Sequence, residues 1–266
     1  MKGPRAWRKA YGERVARNAT RICYSHVPKC AGVAVSRSIA GQAFSWRERK
    51  FVPNFSIDLR ASSRAAAATS RSMMELREDL LAYALAQERY KFVSAHVGAR
   101  PCLVEAFRDR WHFVTLLRNP VDRWISEFVY NTHKSSSWAR NPLSIEDYLG
   151  TPAARTTATS FLRYFSNMPE EFEGEPEPYE DEAVANLSTF TVVGFLEEMD
   201  AFIGDFQKVF GTRLKIPRRN ESPRSDLKER IRSEPGLMDG INNLCAVDTR
   251  IYRRVSEIRS ADVGAA

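Results

Sequence analysis

Long apolar runs are missing from this chain of 266 residues: Phe113 to Leu117, broken by Thr115, is typical of its longest. A helix needs roughly 18 to 20 apolar residues to span a bilayer, so no membrane span is expected. Met1 to Arg21 carries seven basic residues and one Glu but no apolar centre, which excludes a secretory leader and predicts a cytoplasmic protein. Cysteine is scarce. Cys23, Cys30, Cys102 and Cys245 form no CxxC pair and have no His at metal-ligand spacing, so reduced thiols and no metal site are expected. No Gly-Lys pair occurs, which removes the GxxxxGK[ST] motif of the common nucleotide-hydrolysing fold. Internal repeats and low-complexity tracts are absent, and so are the helix-turn-helix, RNA-recognition and zinc patterns that would support nucleic acid as a partner.

The composition is that of a folded globular protein, with 43% hydrophobic, 11% aromatic and 27% charged residues, enough for one large or two small domains. The net charge of +7 is unevenly spread. Residues 1–140 hold 25 basic and 11 acidic side chains, whereas residues 141–266 hold 15 and 22. A basic N-terminal half suits a polyanionic partner, a phosphate-rich cofactor or an acidic glycan. Residues 1–20 read as a basic arm, either solvated, packed as a helix on the domain, or held out for an anionic partner.

From residue 21 onward, short apolar runs alternate with helical spacing. Strands are expected at 21–27, 91–96, 111–117 and 190–195, and helices at 33–42, 73–89, 121–130 and 197–210. Residues 47–72 show no clear period and read as loop or partial helix. Residues 170–182 hold eight acids and no base, broken by Gly174, Pro176 and Pro178, and read as an exposed loop. Strands alternating with helices predict an α/β fold with a central, mainly parallel sheet between helical layers, as one domain over 21–266.

Two strand–turn–helix units carry the candidate chemistry. The first helical N–H groups are unpaired and the helix dipole makes that end positive, so such a junction receives anions. Ser25-His26-Val27-Pro28-Lys29-Cys30-Ala31-Gly32 has this form and adds a lysine, although a surface turn lysine is the plainer reading of Lys29. In Leu116-Leu117-Arg118-Asn119-Pro120-Val121-Asp122-Arg123-Trp124-Ile125-Ser126-Glu127, Arg118 ends a strand and Ser126 falls within the next helix. Both could meet one phosphate, Arg118 with paired charged donors and Ser126 with a hydroxyl.

At these residues the chain resembles the sulfotransferases that use 3′-phosphoadenosine-5′-phosphosulfate (PAPS), particularly the carbohydrate type with uronosyl 2-O-sulfotransferases and bacterial relatives. Pro28, Lys29 and Gly32 match a PKxGGTS motif that binds the phosphosulfate. Leu117, Arg118, Pro120, Val121, Arg123, Ser126 and Glu127 match an LLRDPVxRxxSxY motif whose Arg and Ser hold the 3′-phosphate. Val193-Gly194-Phe195-Leu196-Glu197 and Asp248-Thr249-Arg250-Ile251-Tyr252 are similar to two later segments. The resemblance implies a P-loop-like three-layer domain, PAPS as sulfuryl donor, and donor contacts from Lys29, Cys30, Ala31, Gly32, Val33, Ala34, Arg118 and Ser126. It requires no metal. Val33 and Ala34 depart from the usual Thr-Ser and remove two hydroxyl ligands, with Ser36 slightly further along the helix.

Lys29 and His96 are the expected catalytic residues. His96 ends Phe92-Val93-Ser94-Ala95-His96, which resembles a segment whose histidine takes the acceptor's proton, and an ordinary imidazole pKa near 6.5 suits that task. A core histidine is the plainer reading. His26 reads as structural, His112 and His133 have no motif behind them, and Glu105 is the alternative base. The expected acceptor is a hydroxyl of a carbohydrate or related molecule, acidic ones included. Lys134, Arg140, Arg155, Arg163 and Tyr164 lie where the family builds its acceptor cleft. A nucleotide kinase of similar architecture, or a PAPS-binding pseudoenzyme, are the alternatives.

Overall fold

A computed structural model describes residues 4–135, 140–170, 172, 176–217 and 225–264. α1 (Pro4–Asn18) leads into β1 (Ile22–Ser25) and α2 (Gly32–Gln42). A short α3 (Trp46–Phe51) precedes β2 (Asn54–Ser56), and α4 (Leu59–Ala68) and α5 (Met73–Ala86) return the chain to β3 (Phe92–Ala95). Next come α6 (Pro101–Phe107), β4 (His112–Leu117) and α7 (Pro120–His133). Three short helices, α8 (Ile145–Leu149), α9 (Pro152–Ala158) and α10 (Ser160–Phe165), are followed by α11 (Glu177–Ser188) and β5 (Val192–Phe195). A 3-10 turn (Leu196–Glu198), α12 (Met199–Phe210), α13 (Ser225–Ser233), α14 (Pro235–Leu244) and α15 (Ala246–Gly264) complete the chain.

The five strands form one sheet in the order β2-β3-β1-β4-β5, and every pairing is parallel. Every residue of β1, β3 and β5 is buried, as expected where helices cover both faces. On one face Val93, Phe113 and Val193 pack with Leu81 and Leu85 of α5, Phe165 of α10, Leu187 of α11 and Ile251 of α15. On the other, Ile22, Tyr24, Val114 and Val192 pack with Val35 and Ile39 of α2 and Phe202 and Phe206 of α12. A third apolar cluster, built on Trp124 and Phe128 of α7, extends over α8, α9 and α14. The fold is therefore the α/β, three-layer arrangement with a parallel sheet.

Three local expectations change. Residues 47–72 contain β2 as well as α3 and α4; β2 has only Phe55 as an apolar residue, so no periodicity marks it, and its ladder to β3 makes it a strand. The acidic stretch 170–182 is helical from Glu177, where Pro178 fits the first turn and Glu177 and Glu180 meet the positive end of α11. Residues 171 and 173–175 of that stretch lie outside the described residues. The N-terminal basic segment is helical from Pro4 to Asn18, with the Tyr11 ring edge-on to Phe51 of α3; residues 1–3 are outside the described set. No helix among the described residues is long and apolar enough to cross a membrane.

Candidate functional site

β1 and β4 are neighbours, and the chain leaves β1 towards β2 and β3 on one side while β4 lies on the other. Their C-terminal ends therefore frame a crevice where strand order reverses, the usual ligand position in such sheets. Both candidate turns open there. In the first, Lys29 (φ 66°) and Ala31 (φ 54°) adopt left-handed backbone on either side of Cys30. Such alternation curls successive N–H groups into a concave anion-binding nest. A left-handed residue other than glycine costs on the order of 1 kcal/mol, so surrounding contacts must hold this turn. α2 then starts with no side-chain cap; the amides of Ala34 and Val35 bond the Ala31 carbonyl, which leaves those of Gly32 and Val33 uncapped.

Gly32 is required by a neighbour. A Cβ there would lie 1.7 Å from Cδ2 and Nε2 of His26, so the imidazole rests directly on the helix backbone. The parallel register pairs Ser25 with Ala95 and carries the next residues, His26 and His96, into ring contact, with centroids 3.6 Å apart and planes tilted by 34°. His96 thus stands one ring away from the start of α2. Its Nδ1 is buried without a hydrogen-bond partner. Behind it, the buried Arg77 donates Nη1 to the His96 carbonyl at 3.4 Å and Nη2 to the Leu59 carbonyl at 3.2 Å, tying β3 to the start of α4. Burial lowers the His96 pKa to about 4, and the Arg77 charge acts in the same direction. Burial and the neighbouring His96 lower His26 to about 2.

Both rings are consequently neutral at pH 7, and the folded state resists protonating them. A histidine held below its unfolded pKa contributes full stability above about 6.5 and loses it as pH falls towards the folded value. Between pH 6.5 and 5 His96 alone should cost about 2 kcal/mol of unfolding free energy. Urea unfolding of wild type and His96→Asn at the two pH values checks this, the variant losing correspondingly less; equal losses would contradict it.

The second turn is held from below. Asn119 caps α7 by accepting the amides of Val121 at 3.1 Å and Asp122 at 3.2 Å. Its own amide donates to Glu197 at 2.9 Å, and Glu197 also accepts the Tyr252 hydroxyl at 3.0 Å. The two later segments singled out in the sequence therefore brace this turn. Arg118 donates Nη1 to the Lys29 carbonyl at 3.2 Å, joining the two turns across 89 residues of sequence. Ser126 is half-buried in the second turn of α7 and makes no hydrogen bond to either turn.

The Lys29 ammonium lies 3.9 Å from the centre of the Tyr130 ring. Burial lowers its pKa to about 8, with Glu127 opposing and Arg118 and Lys228 assisting. Lys29 is therefore mostly charged at neutral pH. Cys30, Ala31, Gly32, Val33 and Ala34 follow as the turn and first turn of α2. Cys30 is fully buried, Val33 is exposed, and Ala34 is half-buried. The Ser36 hydroxyl does not stand in for the missing Thr-Ser pair, because it donates to Ser94 of β3 at 3.0 Å.

Beneath α7, the fully buried Arg123 bonds Glu127 at 2.9 Å and the Thr157 carbonyl. The equally buried Asp248 accepts the amides of Phe161 at 2.8 Å and Leu162 at 3.1 Å, fixing the start of α10. Burial raises Asp248 to about 7 against the opposing pull of Arg123 and those amides.

Other candidates lie elsewhere. Glu105 is exposed on α6, a helix packed on α5 and α11. His112 is at the first residue of β4, the opposite edge of the sheet, bonded to Thr191; His133 bonds the Val129 carbonyl of its own helix. Of the residues read as an acceptor surface, Tyr164 is buried in the core, Arg155 donates to the Gly150 carbonyl, and Arg163 donates to Thr159 and the Glu170 carbonyl. Arg140 is exposed, and Lys134 approaches the Tyr130 ring at 5.9 Å. Residues 136–139 of that stretch are outside the described set. Cys23, Cys30 and Cys245 are buried free thiols and Cys102 is an exposed one. Among the described residues, no three His, Cys, Asp or Glu side chains gather as a metal site.

Sequence reasoning gave no role to Tyr130, Glu127 or Lys228 and read His26 as merely structural. The spacing of Ser126, Glu127, Tyr130 and Lys134 along α7 was the available signal for the first two. No family model matches the chain, and no curated protein matches its sequence.

Proposed function

We propose that this chain is a sulfotransferase that moves a sulfuryl group from PAPS to an acceptor hydroxyl. The observation that carries the reading is the Arg118–Lys29 hydrogen bond, which unites the two candidate phosphate turns at the crevice between β1 and β4. The nest at Lys29–Ala31, the uncapped start of α2 and two cationic side chains fit a ligand with separate anionic groups. Lys29 and the turn amides would receive the 5′-phosphosulfate, and Arg118 with Ser126 the 3′-phosphate that distinguishes this donor from ATP.

The acceptor oxygen attacks sulfur as the bond from sulfur to the 5′-phosphate oxygen breaks, and the hydroxyl proton passes to His96. His96 is neutral and, unlike the buried His26, partly open to solvent, so its imidazole can take that proton. Lys29 stabilises charge growing on the leaving phosphate oxygen, as cationic clamps do in phosphoryl transfer. A carbohydrate acceptor, an acidic one included, fits the positive charge of Lys29 and Lys134 at the Tyr130 ring, with Lys228 acting on Lys29. No step calls for a metal, a membrane anchor or nucleic acid, and a bacterial cytoplasmic enzyme is the proposed setting.

PAP, the donor stripped of its sulfuryl group, should raise the melting temperature far more than 5′-AMP or ATP. A charge-assisted hydrogen bond contributes about 1.5 to 3 kcal/mol, so Arg118→Ala should weaken PAP binding roughly 10- to 150-fold by calorimetry. Equal stabilisation by PAP and AMP sinks the assignment, and preference for ATP favours the kinase reading. Restoring the motif with Val33→Thr and Ala34→Ser adds at most two neutral hydrogen bonds of ~0.5 to 1.5 kcal/mol each, so turnover should rise by no more than about a hundredfold. Turnover by the restored protein alone would make the natural chain a PAPS-binding pseudoenzyme.

A further inference from the structure

Tyr130 sits on α7, 101 positions from Lys29 and four residues past Ser126. Its side chain is 55% exposed, unusual for a large aromatic, yet one ring face is covered by the Lys29 ammonium at 3.9 Å. Lys134, one helical turn further along, approaches the same ring at 5.9 Å. No carboxylate forms an ion pair with Lys29 among the described residues; Glu127, the nearest acid to act on it, is engaged by Arg123 at 2.9 Å. The ring is thus in direct contact with an ammonium that, among the described residues, has no paired carboxylate.

We propose that Tyr130 is the positioning residue for Lys29, its ring face holding the ammonium at the mouth of the left-handed turn and aimed where an anion enters. A lysine side chain has four rotatable bonds and rests in many directions, whereas an aromatic face restricts it without the strong pairing that a carboxylate would impose. Release to an incoming phosphosulfate therefore costs little. The arrangement also keeps Lys29 charged while half-buried. The other groups acting on it are Glu127 from α7, Arg118 from the end of β4, Lys228 from α13 and the buried Cys30 thiol of its own turn, and the two cations push towards the neutral amine. This proposal rests on reading the turn as the donor site, but its central claim is measurable without any donor.

The experiment is competitive acetylation of the full-length chain with trace acetic anhydride from pH 6 to 11, reading the Lys29 peptide by mass spectrometry. Wild type should titrate near 8. Tyr130→Phe keeps the ring face and should stay there, whereas Tyr130→Leu should titrate lower by about half to one and a half pH units, the worth of a cation–π contact. The exposure of Tyr130 makes both variants tolerable to the fold, and Tyr130→Trp, titrating no lower than wild type, gives a further check. Coincident curves for wild type and Tyr130→Leu overturn the proposal, as does Tyr130→Phe falling with Tyr130→Leu. Repeating the series with saturating PAP separates the two readings. If PAP slows Lys29 labelling in wild type, the turn receives the anion. If PAP leaves labelling unchanged while the variants behave as stated, the donor assignment fails and the role of Tyr130 stands.

Discussion

His96→Ala should lower sulfuryl transfer by roughly 10²- to 10⁴-fold, the usual scale for a general base, while PAP affinity stays nearly unchanged. The separation follows from geometry. His96 reaches the α2 turn only through the His26 ring, so it touches neither Lys29 nor Arg118, the two groups assigned to the donor. Its depressed pKa adds a second signature. With the imidazole lowered to about 4, the basic form dominates from pH 5 upward, and the acid limb of kcat/KM should fall near 4 rather than near 6.5. A weaker base gives less driving force to proton transfer, so in the proposed reaction His96 trades strength for being unprotonated at every working pH. Transfer assays with one acceptor across pH 4 to 8, alongside PAP calorimetry, decide the matter. If PAP binding collapses together with activity, His96 shapes the donor turn and the proton goes elsewhere.

Asp248→Ala should destabilise the fold by about 2 to 6 kcal/mol, because two buried amides lose their acceptor at roughly 1 to 3 kcal/mol each. Asp248 is fully buried, and its removal leaves Arg123, also fully buried, with Glu127 and the Thr157 carbonyl alone. The amides of Phe161 and Leu162 lose their acceptors as well. Asp248→Asn keeps an oxygen for one amide and should cost less. Urea unfolding midpoints at pH 7.5 give the comparison, and a loss under about 1 kcal/mol for Asp248→Ala would show that water or Glu127 replaces it. Arg123 feels the charges of both Asp248 and Glu127, and Glu127 in turn acts on Lys29, so the variant should also disturb Lys29, readable by the same acetylation titration.

How far the chain was legible depends on which residues carried their own signal. β1, β3, β4 and β5 stood out because parallel strands covered on both faces are continuous apolar runs, and α7 and α12 because their apolar residues recur at helical spacing. The turns after β1 and β4 announced themselves through Pro28, Gly32 and Pro120. Glu197 and Asp248 were picked out by resemblance alone, and their work is structural: one braces the Asn119 turn, the other fixes α10.

By itself the sequence determined the alternation of strands and helices, the two candidate turns and the candidates Lys29, Arg118 and His96, because each depends on residues within about ten positions of one another. Tertiary structure alone decided the rest. β2 is a strand only through its ladder to β3, with a single apolar side chain to signal it. His26 changed from a core histidine into the link between Gly32 and His96 because the β1–β3 register brings residues 70 apart into ring contact. Tyr130 meets Lys29 only because β1 and β4 pair in parallel and bring the turn after β1 against the helix that follows β4. Strand order and register are set by packing across the whole sheet, and local propensity carries no record of them.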